Sequence, residues 1–188
     1  MCRIYTAEFL NGKIAIAKRL ILKILKPTVF ILLTNNGAFI LKKVLKYMKT
    51  NALIIFVRNP ELGKVKTRLA KTIGNKKALE VYCDLLSHTM SVTKMGDCDK
   101  FVFYDNSIEQ SDIWANNLFE KRIQFGIDLG AKMQNAFQEL FNLGYKNCTI
   151  IGSDLFDLEV KHITQAFDKL ESNDAVIGPA EDGGYYLL

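Results

Sequence analysis

Histidine is scarce. The 188 residues contain two, His88 and His162, far apart and with no second histidine at ligand spacing. That largely removes His-based triads and zinc-protease chemistry, and both are read as structural or surface residues. The four cysteines, Cys2, Cys83, Cys98 and Cys148, form no C-x-x-C pair. This excludes a zinc knuckle and a thioredoxin-like dithiol, and it suits reduced thiols in a cytoplasmic protein. Long apolar runs are missing too: the longest stretch without a charge, residues 27–41, contains Pro27, Thr34, Asn35, Asn36 and Gly37. It is too short and too polar to span ~30 Å of hydrocarbon. The composition, 49% apolar and 24% charged, is that of a soluble globular chain able to bury one sizeable core.

Charge is unevenly spread. Residues 1–47 hold nine basic residues and one acid, Glu8, whereas the remaining 141 hold 16 basic and 19 acidic residues, a net of −3. A uniformly basic nucleic-acid binder would not look like this, so no nucleic-acid partner is expected. The division predicts a basic, apolar extension over 1–47 and a separate domain over 48–188. Within the extension, residues 14–25 and 38–47 read as short basic amphipathic helices separated by Pro27 and the Asn35-Asn36-Gly37 turn. Such helices suit peripheral contact with an anionic membrane surface. The competing reading takes Met48 as the working start, because a strand pattern begins almost at once after it.

From there strands and helices alternate. Residues 51–57 form a continuous apolar run of the kind buried on both sheet faces. Helices are expected over 65–73, closed by Gly74, and from Asn75 as a cap through Met90. Further strands are expected at 101–104, 122–125, 148–151, 175–177 and 185–188. Helices are expected at 111–119 around Trp114, at 129–141, and from Val160 to Leu170 with Asp157 as cap. The pattern predicts an α/β fold whose mostly parallel sheet is covered on both faces. In such sheets ligands sit outside the carboxyl ends of the strands.

Three strand ends carry candidate chemistry. The first, Arg58-Asn-Pro-Glu-Leu-Gly-Lys-Val-Lys-Thr-Arg68, puts four basic side chains, a glycine and a helix start behind strand one. That is an anion site suited to phosphate or pyrophosphate. It is not a Walker loop, since Val65 follows Gly63-Lys64 where Ser or Thr is needed. The second, Ile150-Ile-Gly-Ser-Asp154, ends a strand on an aspartate placed to hold a hard divalent cation, or else to act as a turn residue. The third, Gly178-Pro-Ala-Glu-Asp-Gly-Gly184, reads as a tight turn between strands that either is plain hairpin chemistry or brings a second carboxylate close to the first.

These segments, with Leu53-Ile-Ile-Phe-Val57 before the first and Gly126-Ile-Asp-Leu-Gly-Ala-Lys-Met133 between them, resemble the glycosyltransferase-A-like family known as domain of unknown function 2064. That family includes the radical-SAM/selenodomain-associated transferases and the arsenosugar-biosynthesis glycosyltransferase-like proteins. The resemblance covers nearly everything after Met48. It implies a nucleotide-diphospho-sugar transferase fold, a three-layer sandwich on a mostly parallel sheet, truncated here at its C-terminus because the family continues beyond the last strand. It places donor binding on Arg58, Gly63, Lys64, Thr67, Arg68, Gly183 and Gly184. It places catalysis and metal binding on Asp154 and Asp182, with Asp182 either a second metal ligand or a base. Where the family usually has an X-Pro pair after Gly-Ser-Asp, this chain has Leu155-Phe156.

The expectation is therefore a Mg²⁺- or Mn²⁺-dependent glycosyltransferase that takes a nucleoside diphosphate sugar and a small-molecule acceptor. The first alternative is a nucleotidyltransferase, similar to guanylyltransferases, that uses a nucleoside triphosphate and a phosphorylated small acceptor. The second is a non-catalytic, membrane-docked or binding module with a decayed site.

Overall fold

The computed structural model describes residues 50–181 and 183–188, all of which fall in the unit Met48–Leu188. The helices expected over 14–25 and 38–47 lie outside the described residues, as does Asp182.

Six strands and four helices make up the described chain: β1 Asn51–Val57, α1 Thr67–Ile73, α2 Asn75–Thr93, β2 Asp99–Tyr104, β3 Phe119–Ile123, α3 Leu129–Asn142, β4 Asn147–Gly152, α4 Val160–Leu170, β5 Gly178–Pro179 and β6 Tyr185–Leu187. They form one sheet of order β3-β2-β1-β4-β6-β5. The first four strands in that order are parallel; β6 is antiparallel to β4 and β5 to β6. The architecture is the expected α/β sandwich with a mostly parallel sheet.

The alternating side chains of β1 explain the layering, because neighbouring residues on a strand face opposite sides. Leu53, Ile55 and Val57 pack with Tyr82 and Leu86 of α2 and with Ile163, Ala166 and Phe167 of α4. Ala52 and Ile54 pack with Ala136 and Leu140 of α3, together with Phe101, Phe103 and Ile150. Ala52, Leu53, Ile54 and Ile55 are fully buried. A strand covered on both faces has no room for polar chemistry along its length, so function is displaced to its ends.

Several boundaries differ from the sequence expectation. The helix expected from residue 65 starts at Thr67, because Lys66 is in the left-handed region with φ 46° and ψ 41°. Asn75 is the first residue of α2, and the N-cap is Gly74. In place of the helix expected over 111–119, residues 111–118 form bends and a turn and residue 119 opens a strand. Trp114 is buried there by an edge-on contact with Phe119 at 5.1 Å between ring centroids, a tertiary contact that overrides a weak helical pattern. β3 begins at Phe119, three residues before the expected strand. β5 is Gly178–Pro179, not 175–177. At α4 the cap is Glu159, not Asp157: the Glu159 N–H donates to His162 Nδ1 at 3.1 Å. The other histidine, His88, bonds the Leu158 carbonyl through Nε2 at 3.0 Å and stacks on Phe156.

The bent segment after β2 is held by an ion pair whose side chains are largely covered. Lys121 donates to Asp112 at 2.7 Å, with side-chain exposures of 7% and 18%. It also donates to the Glu109 carbonyl, while the Tyr104 hydroxyl donates to the same Asp112 carboxylate. Burial and that carboxylate push the Tyr104 hydroxyl far above the ordinary tyrosine range. Asp112→Ala removes an acceptor shared by Lys121 and Tyr104 and should lower unfolding stability by about 1–2 kcal/mol in urea titrations; a loss within the scatter of ordinary surface substitutions would show that the pair is not holding this segment.

Candidate functional site

The chain runs β1, β2, β3 toward one sheet edge, then returns to add β4 on the other side of β1. The strand order reverses between β1 and β4, and in open α/β sheets the crevice outside the carboxyl ends at such a reversal is where ligands bind. The residues there are Arg58, after β1, and Ser153-Asp154, after β4.

One phenol joins the two sides. The Tyr82 hydroxyl of α2 accepts from the Arg58 N–H at 2.9 Å and donates to the Arg58 carbonyl at 3.0 Å. It lies 3.3 Å from Ser153 Oγ. With its one hydrogen given to Arg58, it takes the Ser153 hydroxyl hydrogen as acceptor. Burial raises the Tyr82 hydroxyl above the ordinary tyrosine range, so it stays protonated. The next strand ends are laced in the same manner. The Asn59 N–H donates to Asp105 Oδ1 at 2.9 Å and its side-chain amide to the Ser107 carbonyl at 2.9 Å. The Gln124 amide donates to the carbonyls of Val57 at 3.1 Å and Phe103 at 2.8 Å.

These ties frame a cavity of about 500 Å³ lined by Arg58, Tyr82, Asp105, Gln124, Lys132 and Asp154, among others. Its remaining wall is the start of α3, where Asp128 caps the helix by accepting from the Ala131 N–H at 2.8 Å. Gly126 brings that wall in: its φ is +149°, and a Cβ there would lie 2.6 Å from the Lys132 nitrogen. Among the described residues, neither the Arg58 guanidinium nor the Lys132 ammonium has a hydrogen-bond or ion-pair partner. The cavity thus combines two uncommitted cations with three carboxylates, of which Asp105 and Asp128 accept backbone N–H groups and Asp154 holds the Lys66 ammonium.

The expected site residues divide. Arg58 and Asp154 line this cavity. Gly63 makes a turn at φ +78°, Lys64 pairs with Glu61 at 2.5 Å, and Thr67 and Arg68 are exposed in the first turn of α1. The Lys64 bond holds the Glu61 carboxyl below its ordinary range. Gly183 and Gly184 close the β5–β6 turn through Ala180, which accepts from the Gly183 N–H at 3.2 Å and donates to the Gly184 carbonyl at 2.9 Å. The antiparallel register Ile151↔Leu187 puts that turn at the same end of the sheet as Asp154. None of Gly63, Lys64, Thr67, Arg68, Gly183 and Gly184 lines the cavity.

Sequence reasoning missed Tyr82, Asp105, Gln124 and Lys132, together with Lys66, whose Nζ donates to Asp154 Oδ2 at 2.8 Å. For Lys132 a signal existed, since a glycine and an aspartate precede a helix start in Gly126–Met133. For Tyr82 there was none, because helical spacing marked it only as core.

Among the described residues no three His, Cys, Asp or Glu side chains gather as a ready-made metal cage. The donor set does fit a hard divalent cation that arrives on phosphate oxygens, for which one or two protein carboxylates suffice. Among the described residues Asp154 Oδ1 accepts no hydrogen bond, and Oδ2 already holds a cationic group, the Lys66 ammonium. Cys148 takes no part: burial in β4 pushes its thiol up to about 12.

The sheet and its layers are those of a nucleotide-diphospho-sugar transferase fold. Residues 88–188 match domain of unknown function 2064, described as an uncharacterized protein conserved in bacteria, and the chain belongs to that family. A solved structure, a candidate nucleotide-diphospho-sugar transferase from Desulfovibrio desulfuricans G20, is 33% identical and superposes with a TM-score of 0.68 over 74% of this chain. This chain spans 62% of the length of that protein. No curated protein matches it. Among the described residues no helix is long and apolar enough to cross a membrane.

Tyr82→Phe keeps the ring in the core but leaves the buried Ser153 hydroxyl and the Arg58 N–H without their partner. Unfolding stability should fall by about 1–3 kcal/mol, the usual effect of stranding a buried polar group. A variant as stable as the parent in urea titration would show that the phenol is not the tie between the two strand ends.

Proposed function

We propose that the protein is a metal-dependent glycosyltransferase that transfers a sugar from a nucleoside diphosphate sugar to a small-molecule acceptor. The observation that carries this reading is the juxtaposition, at the sheet's reversal point, of the Asp154 carboxylate with the uncommitted cations of Arg58 and Lys132. The likeness to a candidate nucleotide-diphospho-sugar transferase supports it.

In this reading an acceptor oxygen forms a bond to the sugar's anomeric carbon while the bond from that carbon to the phosphate oxygen breaks. The nucleoside diphosphate leaves with the electron pair, and the acceptor proton passes to a base. The barrier lies largely in the negative charge that grows on the departing diphosphate, which cations placed beside it stabilise. Arg58 offers a planar guanidinium suited to two phosphate oxygens, and Lys132 a point charge beside the α3 start. A Mg²⁺ or Mn²⁺ held by Asp154 and the diphosphate would supply further charge neutralisation. Asp182, on its position in the acidic glycine turn, is assigned as second metal ligand or acceptor base, and Gly183 and Gly184 as the backbone that lets donor and acceptor approach. Lys64, Thr67 and Arg68 provide the outer part of the diphosphate loop.

Incubation with a panel of sugar nucleotides and nucleoside triphosphates, with and without Mn²⁺, tests the assignment by its products. Release of a nucleoside diphosphate that requires Mn²⁺ is expected, and Asp154→Asn should lower its rate at least about 100-fold, as loss of a transition-state charge contact does. Pyrophosphate release from a triphosphate would replace this reading with nucleotidyl transfer; an Asp154→Asn variant at parental rate would remove the metal assignment.

A further inference from the structure

Lys66 combines two independent oddities. Among the described residues it is the one non-glycine with positive φ, at 46°, a conformation that costs free energy for a residue with a side chain and persists where something over-determines it. It also reaches across 88 residues of sequence to place its ammonium 2.8 Å from Asp154 Oδ2. Its carbonyl accepts from the Ala70 N–H at 2.9 Å where α1 starts, no side chain caps that helix, and the Lys66 side chain points instead at a carboxylate that the preceding section gives to a metal.

We propose that Lys66 is a tethered counter-ion: it holds Asp154 in the ligand-free protein and moves to the diphosphate when a divalent cation takes the carboxylate. The inference rests on the reading of Asp154 as the metal ligand. Three observations set the exchange. The ion pair is open to solvent, with side-chain exposures of 26% for Lys66 and 56% for Asp154, and pairs of that kind are weak enough to be exchanged. The loop's neighbouring lysine, Lys64, is tied to Glu61 and does not compete for the place. A bare cation either displaces the ammonium from Oδ2 or sits on Oδ1 beside it, and in both cases two positive charges meet without a further anion, whereas a cation that comes with diphosphate brings the ammonium a new anionic partner. Cation and diphosphate therefore bind as a coupled pair, each raising the affinity for the other by the same factor.

The test is calorimetric titration of the full chain with Mn²⁺ alone, with inorganic pyrophosphate alone, and with Mn²⁺ in the presence of pyrophosphate. Lys66→Met removes the charge at similar length; Lys66→Gly removes it and also relieves the backbone; Lys71→Met removes a neighbouring charge in α1 that does not touch Asp154. Both Lys66 variants should bind Mn²⁺ alone about 3- to 10-fold more tightly than the parent, the range expected when a solvent-open competing pair is removed. The parent's gain in Mn²⁺ affinity from pyrophosphate should shrink in both by a similar factor, and Lys71→Met should behave as the parent. Unchanged Mn²⁺ affinity in Lys66→Met would overturn the exchange, as would a gain seen only in Lys66→Gly or one matched by Lys71→Met. If Mn²⁺ with pyrophosphate binds the parent and Asp154→Asn equally, or binds neither, the metal assignment of Asp154 falls and the exchange with it. Loss in Asp154→Asn alone keeps that assignment standing whatever Lys66 shows.

Discussion

The dryness of β1 is the constraint on which the rest depends. Its residues are sealed between α2 and α4 on one face and α3 on the other, with Ala52 through Ile55 fully buried. Parallel strands of this kind offer no exposed face for chemistry, so whatever the chain binds must meet it where the strands stop. The order in which strands are added to β1 then selects one end and one gap, that between Arg58 and Asp154. Everything polar that bears on function gathers there because the interior excludes it elsewhere.

At that gap a fixed part and a movable part can be told apart by their surroundings. The Tyr82 hydroxyl meets Arg58 and Ser153 in a largely buried setting, where an unmade hydrogen bond is expensive. Asn59 and Gln124 tie four more carbonyl or carboxylate groups at the strand ends. These contacts set where Arg58 leaves the sheet and where the turn before Asp154 begins. The charged groups beyond them are different: Arg58 and Lys132 are uncommitted, and the Lys66–Asp154 pair is open to water. A rigid floor with loosely held charges above it suits a ligand that is itself highly charged and must be released after reaction.

The sequence made the sheet legible because a buried parallel strand needs a continuous apolar run, and residues 51–57 and 148–151 have one. α3 and α4 were readable from helical spacing for a similar reason: one face of each is core. The failures share a cause. Residues 111–119 have a weak helical period but are organised by the Lys121–Asp112 pair and the Trp114–Phe119 contact, neither of which leaves a local signature. Gly178–Pro179 pairs with β6 only because the hairpin brings them together. At the site, Asp154 and Arg58 stood out because each immediately follows an apolar strand. The basic loop was recognisable as a loop, but its composition did not say which lysine turns inward. Lys64 is nearer the glycine that marks the turn, yet it pairs with Glu61, while Lys66 reaches Asp154 through a backbone conformation that no side-chain pattern announces.

The number of basic residues in a loop is accordingly a poor guide to how much positive charge reaches a ligand. Of the four in residues 58–68, one pairs with a neighbouring acid, one sits on the opposing carboxylate, one is exposed on a short helix, and one, Arg58, lines the cavity without a partner. A further cation, Lys132, comes from a helix more than sixty residues away and enters because Gly126 lets the α3 start approach. The field at the cavity is a product of the sheet's topology, which collects side chains from distant segments at one gap. Net charge is a sum over the chain, and it says little about the cleft, where Arg58 and Lys132 stand among the carboxylates of Asp105, Asp128 and Asp154, because charges farther off are screened over roughly a Debye length of ~8 Å. The proposed recognition of a diphosphate rests on that placement more than on the abundance of lysine and arginine.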